Sequence, residues 1–388
     1  MQFAIPPRKT SQPPLHARTN TAASAAYGRR KQLQLLGYVV LGLLTFYLTL
    51  RFCLWRGTED AEDGSAAIEG RQDVVLVTVF DSKTMSEDYM KIVKLNREDY
   101  AARHGYKTFY TNVSGYSTLV DPAPSSWTVI PALRHALTDH RSSDWFWQLS
   151  PDALITNPSL SLESHILQPL DSLMLKDLPV VPPDSVIHTF SHLKPSRTHL
   201  ILSQDMDNLA HTSFLLRNTP FTPSTPDNWA QYFLDAWFDP LYRAYSFQKA
   251  ENHALEHIVQ WHPTILAKLV LIEQRRFNSY NYATPPVRDG DGNLRTHDSM
   301  WQEGDFVVNL KGCRESDKRD CEEELRHYFA MWEKEVEKLD GKRPEHDIGP
   351  AKPKPQPKEE QPKPQPKEER PKPQPKEGQP QAEPAADA

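Results

Sequence analysis

The chain has 388 residues, 34 of them proline, with a net charge of -6 and a mean hydropathy of -0.64. A pI near 6.2 excludes the basic footprint of a nucleic-acid binder, so no nucleic-acid partner is expected. Length alone allows two domains, but the prolines and low hydropathy leave one globular domain, residues 73–340, which is ample for a large core.

Residues 1–31 are a polar tail carrying Arg8, Lys9, Arg18, Arg29, Arg30 and Lys31. Residues 32–54 read as a transmembrane signal anchor. From Gln32 to Leu50 there is no charge, and such a run at about 1.5 Å per residue spans close to a hydrocarbon core of roughly 30 Å. Arg51 and Arg56 follow, with stems able to snorkel. The denser N-terminal cations place the N-terminus in the cytoplasm and the rest in a lumen. A cleaved signal peptide would show a shorter apolar core and a small-residue cleavage site, whereas Phe52, Cys53, Leu54 and Trp55 come next. Residues 55–72 form an acidic lumenal stem. Residues 341–388 contain a nine-residue repeat (PKPQPKEEQ, PKPQPKEER, PKPQPKEGQ) that buries nothing apolar, so disorder with polyproline II bias is expected.

Between stem and tail, apolar runs alternate with helical patterns. Residues 73–80 (DVVLVTVF) read as a buried strand, 86–104 as a helix closed by Gly105, and 106–111 as a second strand. A helix is expected over 129–138, an aromatic strand over 144–149 (DWFWQL), a short strand over 213–216, a largely helical run over 233–258 and a late strand over 307–310. The alternation argues for an α/β sheet domain.

In open α/β sheets, ligands bind beyond the carboxyl ends of the strands. The stretch after DWFWQL, Ser150-Pro151-Asp152, is therefore the first candidate site. A carboxylate there can hold a divalent cation that bridges a diphosphate leaving group; a loop-capping aspartate is the plainer alternative. Trp145, Phe146 and Trp147 are either sugar-stacking or buried strand aromatics. His253, Glu256 and His257 match H-x-x-E-H, which would make a zinc metallopeptidase with Glu256 as base; an amphipathic helix packing Ala254, Leu255 and Ile258 explains the same spacing. Asn112-Val113-Ser114 is a glycosylation acceptor sequence. Cys313 and Cys321 can form a local disulfide in an oxidising lumen or remain two free thiols, and zinc would want more ligands than they supply.

Several segments in order carry a resemblance: Asn96-Arg97-Glu98-Asp99-Tyr100-Ala101 with His104-Gly105-Tyr106; Trp145-Phe146-Trp147 with Asp152-Ala153-Leu154-Ile155 and Asn157-Pro158; Asp205 with Ser213-Phe214-Leu215-Leu216-Arg217-Asn218; Phe277-Asn278-Ser279-Tyr280; and Gly304-Asp305-Phe306-Val307-Val308 with Gly312-Cys313. Together they resemble glycosyltransferase family 34, the fungal alpha-1,6-mannosyltransferase and alpha-1,2-galactosyltransferase family that includes mannan-polymerase subunits. The resemblance implies a GT-A-like (Rossmann-like) domain on a type II Golgi membrane anchor. It implies transfer of a hexose with retention, foremost mannose from GDP-mannose in alpha-1,6 linkage onto an N-glycan outer chain or mannan. The implied partners are a nucleotide-sugar donor, a glycan acceptor, the membrane and other mannosyltransferase subunits.

Carried over residue by residue, the resemblance implies manganese (Mn2+) at Asp152 and Asn309, donor contacts at Asp152, Ser150 and Asn278, and catalytic roles for Asp205 and Arg217. Two departures weaken that metal site. Ser150 stands where the first aspartate of the family's D-x-D is expected, and Asn309, in Asn-Leu-Lys-Gly-Cys, stands where a ligand histidine is expected. A non-catalytic scaffold subunit is therefore the alternative reading.

Overall fold

The structure is a computed structural model that describes residues 38–49, 51, 68, 70–182, 185–205, 208–219, 228–245, 247–281, 299–315 and 319–349. The chain divides after Ile348, and the elements that follow all belong to Met1–Ile348. Of the expected anchor, residues 38–49 are helical, and most of the flanking ones lie outside the described residues. Among the described residues no helix is long and apolar enough to cross a membrane, so the fold does not support the anchor. Nearly all of the stem and of the repeat tail also lies outside the described residues.

The main sheet begins with β1 (Val74–Phe80), every residue of which is buried. A valine-rich run buried on both faces suits a central parallel strand. Its neighbours are β2 (Lys107–Asn112) and β3 (Trp145–Leu149), both parallel to it. Beyond β3 lie β6 (Leu209–Arg217), β5 (Leu200–Gln204) and β7 (Leu269–Ile272), giving the order β2-β1-β3-β6-β5-β7. Only β6 runs against the rest. The carboxyl ends of β1, β3, β5 and β7 and the amino end of β6 therefore share one edge. The strand order reverses around β1, which puts a topological switch point between β1 and β3. A small second sheet, β4 (Ala153–Ile155), β9 (Val307–Asn309) and β8 (Ser279–Tyr280) in the order β4-β9-β8, continues from that edge.

Alternation along β1 divides the core between the two faces. Val75 and Val77 pack with Phe146 and with helices α2 (Val129–Asp139), α3 (Trp229–Trp237) and α4 (Ala250–Trp261). Val74 and Leu76 pack with Tyr100, Trp145 and Trp147 on the other face. Trp145, Phe146 and Trp147 are all fully buried, so they are strand core and not a sugar-stacking platform. Tyr100 belongs to α1 (Glu87–His104), whose N-cap Ser86 accepts from the Tyr89 amide. The helix ends at Gly105 with φ 70°, a left-handed value that suits glycine.

Two features that the expected elements leave open have local causes. The run 233–258 is three helices. Phe238 ends α3, Asp239 caps a one-turn helix by accepting from Leu241 N at 2.7 Å with Pro240 in its first turn, and α4 starts afresh at Ala250. Proline at a first helical turn starts a helix and cannot continue one. β5 and β7 (LILSQ and LVLI) are buried strands that a short apolar run without alternation does not announce.

The last helix, α5 (Cys321–Asp340), packs Leu325, Phe329 and Trp332 against Ile92 and Val93 of α1 and against Leu154 and Val308 of the small sheet. Cys313 and Cys321 are joined by a disulfide with Cα atoms 5.3 Å apart. Closing so short a loop removes about 2–3 kcal/mol of unfolded-chain freedom. Cys313→Ser should accordingly lower the melting temperature, and reduction of the parent protein should reproduce the shift; an unchanged melt in both would remove the bridge from the stability account.

Candidate active site

The site is built on the turn that leaves β3. Arg97, on α1 and fully buried, donates to Ser150 O (2.7 Å), Ala153 O (3.1 Å) and Thr78 Oγ1 (2.9 Å). Burial pulls its guanidinium down to about 10, with partial relief from nearby groups including Asp152. Its neighbour Asn96 donates to Ile155 O (2.8 Å) and accepts from Ile155 N (2.9 Å), so a side-chain amide pairs with β4 as a strand would. Further along the same motif, Tyr100 donates to Leu160 O (2.9 Å), His104 Nε2 lies 2.9 Å from Pro158 O, and Tyr106 donates to buried Glu163. Two of the sequence motifs are thus one device, in which the helix motif clamps segment 150–163.

The clamp presents Asp152 at the switch point. Its carboxylate accepts from Tyr89 Oη (2.7 Å) and from both Nε (2.9 Å) and Nη2 (2.6 Å) of Arg314. Burial and the Asp152 charge push the Tyr89 hydroxyl well above its ordinary value, so it stays a donor. Burial opposes the charge on Arg314, but the hydrogen bonds and charge of Asp152 outweigh it and raise its pKa. Arg314 also donates to Thr84 O (3.1 Å) and lies 4.9 Å from the Tyr89 ring centroid. At the end of β5, Asp205 forms a second pair with Lys311, accepts from Tyr280 Oη (3.0 Å) and takes the Asn208 amide (2.8 Å). Lys311 lies 4.8 Å over the Tyr280 ring.

Asn309 links the two pairs. In the small sheet it stands opposite Ala153 on one side and Tyr280 on the other. Its amide nitrogen donates to Thr212 Oγ1 (2.6 Å) and Asn278 Oδ1 (2.8 Å), and Asn278 in turn donates to Ala210 O (3.2 Å). Ser150 N donates to Thr212 O (2.8 Å), and Ser150 Oγ accepts from Asp152 N (3.2 Å). Ser150, Asn278 and Asn309 are therefore joined through Thr212, with Asp152 bonded to Ser150 and Asp205 bonded to Tyr280, the strand partner of Asn309.

Arg217 does not join them. Because β6 runs antiparallel to β3, Arg217 pairs with Trp145 at the start of β3 while Ser213 pairs with Leu149 at its end. Its guanidinium donates to Ser196 O (2.9 Å) at the opposite edge of the sheet. The peptidase alternative fails on geometry too: Glu256 is buried and takes the Leu209 amide (3.1 Å). Asn112 closes β2, its side chain accepting from Ser114 N (2.9 Å).

Manganese at Asp152 and Asn309 does not fit the donors as they stand. Asp152 is the single carboxylate of the turn, and Arg314 holds both its oxygens. Asn309 gives its amide N–H groups to Thr212 and Asn278, which leaves a single neutral oxygen, Oδ1, as the most its side chain can offer a cation. Among the described residues no three His, Cys, Asp or Glu side chains are grouped to hold a metal ion. A divalent cation of this kind needs several anionic or carbonyl oxygens aimed at one point. Sequence reasoning missed Tyr89, Lys311 and Arg314; the one available signal was the lysine of Asn-Leu-Lys-Gly-Cys, a cation two positions after Asn309.

The sequence profile of the galactosyl transferase GMA12/MNN10 family matches residues 70–321. The chain is similar to an uncharacterized alpha-1,2-galactosyltransferase of Schizosaccharomyces pombe, 30% identical over 266 residues, 66% of this chain and 74% of that protein. It is similar to the probable alpha-1,6-mannosyltransferase MNN10 of Saccharomyces cerevisiae, 27% identical over 243 residues, 62% of this chain and 58% of that one. It is also similar to the probable alpha-1,6-mannosyltransferase MNN11 of the same yeast, 27% identical over 274 residues, 68% and 62% of the two chains. The chain thus spans less than two thirds of the length of both of these yeast proteins. Among solved structures, a glycosyltransferase involved in glycosylation of the major capsid of PBCV-1 matches with TM-score 0.40 and 11% identity, over 66% of this chain and 98% of that one.

Proposed function

Since the chain belongs to the galactosyl transferase GMA12/MNN10 family and is a hexosyltransferase by that membership, we propose that it transfers mannose from GDP-mannose, in alpha-1,6 linkage and with retention, onto an N-glycan outer chain or mannan. The domain is then a GT-A-like nucleotide-sugar site. It works in the Golgi lumen on a type II membrane anchor, with Asn112 on the lumenal side and other mannosyltransferase subunits as partners. The observation that carries this reading is the convergence of two carboxylate–cation pairs, Asp152–Arg314 and Asp205–Lys311, at the topological switch edge. That edge is where an open sheet receives a nucleotide. Preformed charges there stabilise a departing diphosphate with little reorganisation.

The test is transfer by the full chain, with GDP-mannose and UDP-galactose offered separately over an alpha-linked oligomannose acceptor and products weighed by mass spectrometry. Mannose transfer is expected, and the galactose donor should give little or none. Galactose transfer would keep the class and replace the sugar. The ion pairs that tie both carboxylates favour the scaffold reading as the second choice, and it would stand if a folded protein moved neither sugar.

A further inference from the structure

We propose that Arg314 and Lys311 take the place of a divalent cation at the donor diphosphate, so that the site operates without a metal; this rests on the hexosyltransferase reading above. Three observations carry it. The metal donor set is incomplete: the turn has one carboxylate, and Arg314 already holds both of its oxygens. The centre of charge is already supplied, since each of the two carboxylates at this edge faces a side-chain cation. A dication between two carboxylates and two monocations against two carboxylates carry the same net charge, so the substitution preserves the charge balance while changing its source. Finally, both cations can still reach a ligand. Their side chains are 28% and 37% exposed, whereas Asp205 is 8% exposed. Only three of the five N–H groups of Arg314 are used by its bonds to Asp152 and Thr84. Lys311 retains further N–H donors beyond the one directed at Asp205.

The carboxylates then have a changed task. Asp152 and Asp205 no longer ligate a metal; they aim the cations. The disulfide from Cys313 to Cys321 and the bond from Arg319 to Lys311 O (2.6 Å) tie down the segment that carries both cations. In the transfer step the anomeric C–O bond to the β-phosphate breaks and its electron pair stays on the diphosphate. The acceptor hydroxyl oxygen bonds to the anomeric carbon, and its proton passes to the departing diphosphate. The leaving group gains one negative charge before that proton arrives, and the guanidinium and ammonium N–H groups meet it. An arginine fork suits phosphate oxygens geometrically, and a lysine serves as a point charge.

The experiment is isothermal titration of the full chain with GDP, in parallel with EDTA and with manganese, together with transfer from GDP-mannose in the same two buffers. Affinity and rate are expected to agree in both buffers within about twofold. Arg314→Gln and Lys311→Gln should each weaken GDP binding about tenfold to a hundredfold, the usual loss for a charge-assisted bond to phosphate. Arg314→Lys, which keeps the charge, should lose less than Arg314→Gln and guards against a variant that merely misfolds. Binding that EDTA abolishes and manganese restores would overturn the metal-free proposal and leave the hexosyltransferase standing. Absence of GDP binding in both buffers would overturn it together with the GDP-sugar donor assignment.

Discussion

Arg97→Met should lower the stability of the domain by about 2–4 kcal/mol and loosen the site at the same time. The substitution keeps much of the side-chain volume but removes a donor from Ser150 O, Ala153 O and Thr78 Oγ1 at once, although Ser150 O keeps the Ala153 amide and the Thr78 hydroxyl still donates to Leu149 O. Each buried acceptor left unmet costs about 1–3 kcal/mol. Against this stands the burial of a guanidinium whose pKa is already drawn down to about 10. Removing that charge returns part of the loss, which keeps the estimate below a simple sum. For a domain of this size the melting temperature should fall by roughly 5–15 °C, and nucleotide affinity should fall with it, because Asp152 rides on the same turn. Thermal melting followed by circular dichroism checks the first effect and titration with GDP the second. A variant that melts with the parent would show that the turn holds itself.

Asp205→Asn tests the chemistry with little change of shape. The amide can still accept from the Asn208 backbone and from Tyr280, but it cannot hold Lys311 as a charge. Lys311 is partly exposed and can turn to solvent, so stability should change little. Transfer should fall about a hundredfold or more, the scale on which a preorganised electrostatic contact to a leaving group is lost. The informative readout is the split between rate and affinity: a loss confined to the Michaelis constant for the donor would place Asp205 in ground-state binding alone.

Much of the framework could be read from the chain because its local signals agree with the final environment. VVLVTVF is buried on both faces, and Ser86 and Gly105 bound α1 as cap residues do. Asp152 was legible for a related reason: a residue at the carboxyl end of a strand reaches the ligand edge whatever the loops do, whereas Asp205 follows β5, a strand the sequence did not announce, and was reached only through the resemblance. Arg217 was misplaced because its position depends on strand polarity, and nothing in SFLLR states that β6 runs against β3. Arg314 and Lys311 were invisible as partners because ion pairing across 162 and 106 positions is a tertiary fact. Residues 233–258 are largely helical, as expected, but the breaks within the run were not legible because apolar periodicity persists through Asp239-Pro240, where the backbone restarts.

The clamp on segment 150–163 has a consequence for how this site can change. Most of the atoms it grasps there are main chain: the carbonyls of Ser150, Ala153, Ile155, Pro158 and Leu160 and the amide of Ile155. None of those contacts depends on the side chain at position 150 or 152. The turn is therefore a mounting into which different chemistry can be fitted while its shape is preserved. A hydroxyl or a carboxylate at position 150 therefore meets the same scaffold, and a library varied at that position starts from a population that still folds.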